Sequence, residues 1–355
     1  MSLHSIGLSP WSEYQIEDRI REGWTAARVI AVHRTMYVIH DGEKEIKAEL
    51  TGRLKFIAET PRDLPTVGDW VAAQVLDDGE FAIIDIVMPR RTVIARKAAG
   101  DKIDEQLIAS NVDAAFIVQA CDQDFNLRRL ERYLVAVRSG NVHPVVLLSK
   151  RDLATADQLA QRLAEIRQIE PFLSVLPFSN EIENDTARVA KLLEPGKTYC
   201  LLGSSGVGKS TLANRLIGSE ALKTSAIREN DGKGRHTTTS RQLLVLNQGA
   251  ILIDTPGMRE FGAIGVDSGM HQTFADIEAL ITGCRFNDCS HTVESGCALR
   301  QAVENDELSL DRLNSYLKLL REAARNDMSL AERREKDRNQ GKFYKKVIQA
   351  KKDRR

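Results

Sequence analysis

Five short strings in the chain carry residue types and spacings that can do chemistry. Gly203-Ser204-Ser205-Gly206-Val207-Gly208-Lys209-Ser210 fits GxxxxGK[ST] and runs on into Thr211. It follows an apolar run at 198–202 and precedes a helix-like stretch at 211–217, the strand–loop–helix setting of a P-loop. Its glycines let backbone N–H groups wrap phosphate oxygens at a helix N-terminus. Lys209 is expected to reach the β- and γ-phosphates and Ser210 to ligate Mg2+. A chance Gly/Ser turn would lack the flanking strand and helix. Downstream, Asp254-Thr255-Pro256-Gly257 fits DxxG at the end of the apolar run 251–253. Asp254 would hold Mg2+ through water, and the Gly257 N–H would face the γ-phosphate. Alone this pattern is weak; its distance from the P-loop strengthens it. Between the two lies Gly234-Arg235-His236-Thr237-Thr238-Thr239. A threonine of 237–239, with Thr238 as the candidate, would ligate Mg2+ when a γ-phosphate is present. The competing reading is a polar turn followed by a β-prone threonine run.

A purine-reading motif lies upstream. Ser149-Lys150-Arg151-Asp152 follows the apolar run 145–148, where GTPases carry [NT]KxD. A carboxylate at Asp152 accepts from both N1–H and N2–H of guanine, and the Lys150 stem covers the ring. Adenine offers neither donor on that edge, and a buried carboxylate deprived of its donors selects by roughly 10²–10⁵. Ser149 keeps a hydroxyl where the usual Asn has an amide, so guanine preference is expected to survive while affinity drops. Ser179, after the run 174–176, is a candidate for the loop that meets guanine O6. This base motif precedes the P-loop, whereas ordinary small GTPases place it last. Motifs need proximity in space and not in sequence, so the order implies a circular permutation.

Cys284-x4-Cys289-x-His291-x5-Cys297 gathers three thiols and one imidazole within fourteen residues. Four such ligands with no open position suit one structural, tetrahedral Zn2+. Cys121 and Cys200 lie on or beside apolar runs and read as packing residues.

The elements that must position these groups come next. Residues 1–24 show little periodicity and read as an extension. Alternating runs at 27–33, 36–40, 45–50, 69–75 and 81–87 predict five strands, with turns at Asp41-Gly42, Gly68 and Asp78-Gly79. Five strands in about 65 residues suit a small OB-type barrel over 25–95, with an SH3-like barrel or open sheet as the alternative. Strand-like runs at 114–118, 145–148, 174–176, 198–202 and 251–253 alternate with helical stretches such as 127–138 and 156–169, which predicts a doubly wound α/β domain over 96–264. A helical metal module over 265–330 follows, with Leu310, Leu313, Leu317 and Leu320 on one helix face. Residues 331–355 read as a basic tail. The 355 residues carry 50 basic and 50 acidic side chains, but 332–355 hold eleven basic against four acidic. A uniformly basic nucleic-acid coat is therefore excluded, and a basic tail is not. With 42% hydrophobic and 28% charged residues, disorder as the main state is excluded as well. No run approaches the ~20 apolar residues of a membrane span, and no basic-then-apolar leader pattern opens the chain.

Together these strings resemble the circularly permuted, ribosome-associated GTPases of the RsgA/YjeQ type. The match covers nearly the whole chain and extends to Asp254-Thr-Pro-Gly-Met-Arg-Glu-Phe-Gly262. It implies a multidomain α/β protein: a five-stranded OB-type barrel, a permuted P-loop GTPase domain and a C-terminal zinc-binding helical module. It further implies a cytoplasmic, monomeric GTPase that binds the small (30S) ribosomal subunit and its 16S rRNA, assists late maturation, and is stimulated by the subunit. Cofactors would be Mg2+ with GTP and one Zn2+. Met258 stands where Ras-like GTPases use a glutamine to orient water, and methionine has no such hydrogen bond. His236 is the candidate to take that role. The competing readings are a nucleic-acid-binding nucleotide sensor with negligible turnover, which Met258 keeps open, and an ATP-dependent enzyme, which Lys150 and Asp152 disfavour.

Overall fold

The computed structural model describes residues 2–33, 36–76, 79–97, 105–218, 242–254 and 267–327. The chain begins with a 3-10 turn (Leu3–Ile6) and helix α1 (Pro10–Arg19). Ser9 caps α1 by accepting from the Ser12 N–H at 3.2 Å, with Pro10 at the first helical position. Ile6 and Ile16 then bury against Trp70, Ala72 and Met88. Two widely spaced apolar anchors therefore dock a segment whose pattern had suggested only an extension.

Strands β1 (Thr25–Val32), β2 (Tyr37–His40), β3 (Glu45–Leu50), β4 (Trp70–Leu76) and β5 (Phe81–Val87) close a barrel, with α2 (Gly52–Ile57) between β3 and β4. Their order around the barrel is β1-β2-β3-β5-β4 and back to β1, with β3–β5 parallel and the other pairs antiparallel. That is the five-stranded Greek-key topology of an OB barrel. In β3 the period of two sends Ile46, Ala48 and Leu50 inward and Lys47 and Glu49 outward. The inward residues meet Val29, Ile39, Val71 and Ile84.

An antiparallel ribbon, β6 (Val93–Lys97) with β7 (Glu105–Ser110), comes next. It was not foreseen, because these short runs carry Arg96, Lys97, Glu105 and Gln106 in place of an apolar alternation. The chain continues through β8 (Ala114–Ala120), α3 (Leu127–Ser139), β9 (His143–Ser149), α4 (Ala156–Ile169), β10 (Ser174–Pro177), α5 (Glu183–Ala190), β11 (Thr198–Leu202), α6 (Lys209–Ile217), β12 (Gln242–Val245) and β13 (Ile251–Asp254). The sheet order is β10-β9-β8-β11-β13-β12, parallel except for β12. Alternate residues of β8 face opposite layers: Ile117 packs with Leu130, Leu134 and Ile166 of α3 and α4, and Phe116 and Val118 pack with Val189, Leu212 and Leu216 of α5 and α6. Cys121 and Cys200 are buried.

Ala31 of β1 pairs with Gln242 of β12, so barrel and parallel sheet form one hydrogen-bonded run. Arg28, wholly buried on β1, reinforces that seam. It donates to Gly68 O at 3.2 Å, Asn111 O at 3.3 Å, Thr198 Oγ1 at 3.0 Å and Ile6 O. Burial lowers its pKa to about 10, opposed by the charges of Asp113 and Asp69.

Helices α7 (Asp267–Thr273), α8 (Ala275–Ile281), α9 (Ala298–Glu304) and α10 (Leu310–Asp327) follow. Met270, Phe274, Ile277, Leu299, Leu313, Tyr316 and Leu319 share a core with Val135 of α3. The buried face of α10 is rotated from the expected one. Leu310 and Leu320 are exposed, while Arg312, Tyr316, Leu319 and Ala323 turn inward. Arg312 fixes that rotation by bridging the fully buried Glu131 of α3 (2.7 Å) and Asp276 (2.6 Å). Among the described residues, no helix is long and apolar enough to cross a membrane.

Candidate functional site

The base and phosphate motifs all sit at the carboxyl ends of neighbouring parallel strands. Ser149 ends β9, Ser179 follows β10, Gly203 follows β11 and Asp254 ends β13. An open α/β sheet binds ligands at this edge. Two P-loop positions need glycine. A Cβ at Gly203 (φ 143) would lie 2.3 Å from Val118 O, and one at Gly208 (φ 93) 2.5 Å from Asn180 Nδ2. Gly208 caps α6, whose first residues are Lys209, Ser210 and Thr211. Lys209 is buried, and its ammonium donates to Gly203 O (2.7 Å) and Ser204 O (2.5 Å) across the loop. Desolvation pushes its pKa down to about 8, against the opposing pull of Asp254. Ser205 and Gly206 are exposed, and Asp254 is buried.

Ser149 is fully buried, and its hydroxyl donates to Val207 O at 2.8 Å. The hydroxyl therefore ties the base motif to the phosphate loop without an amide. On the other side, Asn180 Nδ2 donates to Gly208 O at 3.1 Å. Lys150 adopts a left-handed backbone (φ 58) and pairs with Asp122 at 2.7 Å. Asp152 is exposed beside it, at the 3-10 turn Arg151–Leu153. Arg151 turns to Asp185 of α5, and its N–H donates to Phe178 O at 3.2 Å. Ser179 is buried with its N–H on Asp185 Oδ2 at 2.9 Å. The structure thus gathers Ser149–Asp152, Ser179, Gly203–Thr211 and Asp254 at one sheet edge. His236, Thr238 and Gly257, together with Met258, lie outside the described residues.

Asp122, Asn180 and Asp185 escaped sequence reasoning. Asn180 and Asp185 lie outside any motif, and the carboxyl pairing of Lys150 and Arg151 depends on the fold.

The donor atoms of Cys284, Cys289, His291 and Cys297 lie within 4.8 Å of one another. His291 Nδ1 is 3.6 Å from both Cys284 Sγ and Cys297 Sγ. A tetrahedron with Zn–S about 2.3 Å and Zn–N about 2.0 Å has edges of about 3.6 Å, so donor set and spacing fit that ion. His291 reaches in from a left-handed backbone (φ 60), and the Ala298 N–H points at Cys284 Sγ at 3.4 Å. The Glu294 carboxylate accepts from Ser290 Oγ (2.5 Å) and the N–H groups of Ser290, Thr292 and Val293 (3.1–3.2 Å), which shapes the turn between ligands.

A family model described as RsgA GTPase matches residues 87–264. A protein of Vibrio parahaemolyticus named small ribosomal subunit biogenesis GTPase RsgA 2 is 41% identical over 99% of this chain and 94% of its own length. One from Opitutus terrae, named small ribosomal subunit biogenesis GTPase RsgA, is 42% identical over 98% of this chain and 96% of its own. Among solved structures, YjeQ from Thermotoga maritima aligns with a TM-score of 0.61 at 25% identity, covering 84% of this chain and 98% of its own. YloQ, described as a circularly permuted GTPase, shares the fold with a TM-score of 0.56 at 22% identity, over 88% of this chain and 99% of its own.

Proposed function

The chain belongs to the RsgA GTPase family, and from that premise we propose that it hydrolyses GTP to GDP and phosphate on the small (30S) ribosomal subunit and assists the late maturation of that subunit. The observation that carries the nucleotide reading is the Ser149–Val207 hydrogen bond, which holds the base motif beside the phosphate loop although the two are far apart in sequence. In this reading Asp152 takes the guanine N1–H and N2–H, Lys150 covers the ring, and the Ser179 loop meets O6. Backbone amides of Gly203–Gly208 wrap the phosphates, helped by the N-terminus of α6. Lys209 leaves its loop carbonyls for the β- and γ-phosphates. Ser210, Thr238 and, through water, Asp254 would hold Mg2+, which would supply charge neutralisation on the phosphates. The Cys284, Cys289, His291 and Cys297 set takes one Zn2+ in a closed, structural role. Barrel and helical module bind 16S rRNA, and the protein acts as a cytoplasmic monomer.

With Met258 unable to orient water, His236 acts on the attacking water when the subunit is bound. Single-turnover GTP hydrolysis, measured with and without saturating small subunits, tests this. Wild type should accelerate on the subunit, and His236→Ala should keep GTP and subunit binding while losing roughly 10²–10⁴-fold of the stimulated rate. Equal stimulated rates would remove His236 from the mechanism, and no stimulation of wild type would overturn the subunit-dependent reading.

A further inference from the structure

The third residue of the base motif is the least constrained by its pattern, yet here both its side chain and its backbone are held. Arg151 makes a two-point contact with Asp185 of α5, through Nε to Oδ2 and through Nη2 to Oδ1 at 2.9 Å. The Asp185 side chain is 3% exposed, while that of Arg151 is 33% exposed. Asp185 Oδ2 also accepts the Ser179 N–H at 2.9 Å, and Arg188 approaches Oδ1 at 3.5 Å from the more exposed side. The Arg151 N–H reaches Phe178 O at 3.2 Å, so backbone and side chain of one residue both tie the same two loops. Burial alone would raise the Asp185 pKa, but Arg151 and the Ser179 N–H outweigh it and hold the carboxyl below its ordinary range.

We infer that Arg151 and Asp185 are a positioning pair for a guanine base: one buried carboxylate sets the spacing between the loop carrying Asp152 and the loop carrying Ser179, and with it the purine selectivity of the site. This rests on the guanine-nucleotide reading above. Guanine presents two donors, N1–H and N2–H, and an adjacent acceptor, O6. A carboxylate on one loop and a backbone N–H on the other read that edge together only if their separation is fixed to within roughly 0.5 Å. A bidentate guanidinium–carboxylate contact supplies that rigidity, because its planar fork constrains direction as well as distance. Hypoxanthine lacks the 2-amino group. Adenine lacks N1–H and places a donor where guanine has O6. Neither difference reaches the phosphates, and among the described residues neither Arg151 nor Asp185 is hydrogen-bonded to the P-loop.

The test measures binding of GDP, inosine diphosphate and ADP to the full chain by calorimetry, for wild type, Arg151→Gln, Arg151→Lys and Asp185→Asn. Losing one charge-assisted contact should lower the GDP-over-ADP and GDP-over-inosine-diphosphate ratios by roughly ten- to a hundredfold in Arg151→Gln and Asp185→Asn. ADP affinity, set by the phosphates, should stay at its wild-type value, and Arg151→Lys should recover part of the ratio. A merely structural role would depress all three affinities in parallel, and that result overturns the pair. If Asp185→Asn fails to fold, the more exposed Arg151→Gln carries the test. Wild type that prefers GDP, with unchanged ratios in the variants, overturns the pair and leaves the guanine reading intact. Wild type without any preference for GDP overturns the guanine reading itself.

Discussion

At the nucleotide edge, the loops are fastened to each other by the protein's own groups. Ser149 donates to Val207 O, Asn180 to Gly208 O and Lys209 to two loop carbonyls, with Ser149 and Lys209 buried. At the Cys/His loop, Arg285, Phe286 and Val293 are exposed, and Glu294 organises the turn from within. Below that loop, however, α7, α8, α9 and α10 share an apolar core with α3. A parallel sheet supplies a rigid edge on which short loops can be preformed. The fourteen-residue loop puts one buried residue, Cys297, into that core, so what its ligands bind must hold the rest.

The widest separation between the two regions should come from removing the proposed Zn2+. Chelation or Cys289→Ala withdraws binding free energy on the order of 10 kcal/mol. Hydrogen exchange should then show the Cys284–Cys297 loop losing protection, while α7, α8, α10 and GDP affinity are retained. A parallel fall in GDP affinity would break the separation. The complementary perturbation is Asp152→Asn, which leaves the metal loop untouched. It should weaken GDP by roughly 10²-fold or more and favour xanthosine diphosphate, whose donor pattern matches the amide. Wild-type GDP affinity in this variant would remove Asp152 from the site.

A smaller effect sharpens the nucleotide side. Ser149→Ala leaves the Val207 carbonyl without its partner, and a neutral hydrogen bond contributes about 1 kcal/mol. GDP affinity should drop by roughly threefold to tenfold, as read by fluorescence titration. No change would mean that the loops are tied elsewhere. The smallest signal is a proton. The folded pKa of Lys209, about 8, lies below the ordinary 10.5, so the unfolded chain holds that proton more tightly. Nucleotide-free stability should therefore rise with pH between about 8 and about 10.5 from this group. Phosphates next to the ammonium raise its pKa again. Calorimetry of GDP binding near pH 8.5 in buffers of different ionisation enthalpy should show proton uptake that vanishes near pH 7. Equal heats in all buffers would contradict the buried, neutralising lysine.

The P-loop was readable because its pattern is contiguous: the positive-φ glycines Gly203 and Gly208, Lys209 and the flanking strand and helix follow one another in the chain. The Cys/His set was readable from spacing for the same reason. Ribbon β6–β7 was not, since no apolar alternation marks its two strands. The face of α10 was half legible: Leu313 and Leu317 pack inward as leucine spacing expects, whereas the Arg312 contacts with Glu131 and Asp276 turn Leu310 and Leu320 out. Ser149 shows the opposite case. The substitution suggested weaker attachment, yet its hydroxyl reaches Val207 O because β9 and the phosphate loop lie close together.

By itself the sequence determined which groups are available: glycines that admit phosphate-wrapping backbone, a lysine and a serine at a helix start, a carboxylate after a buried strand, and soft ligands at tetrahedral spacing. It also determined the strand and helix periods of the barrel and the α/β domain, because side-chain alternation is a local property of the backbone. Only the tertiary structure decided which charges meet. Arg151 chose Asp185, Lys150 chose Asp122, and Arg28 was sealed between barrel and sheet. Those choices depend on distances between segments remote in the chain, where burial makes each pairing strong and an unpaired alternative costly.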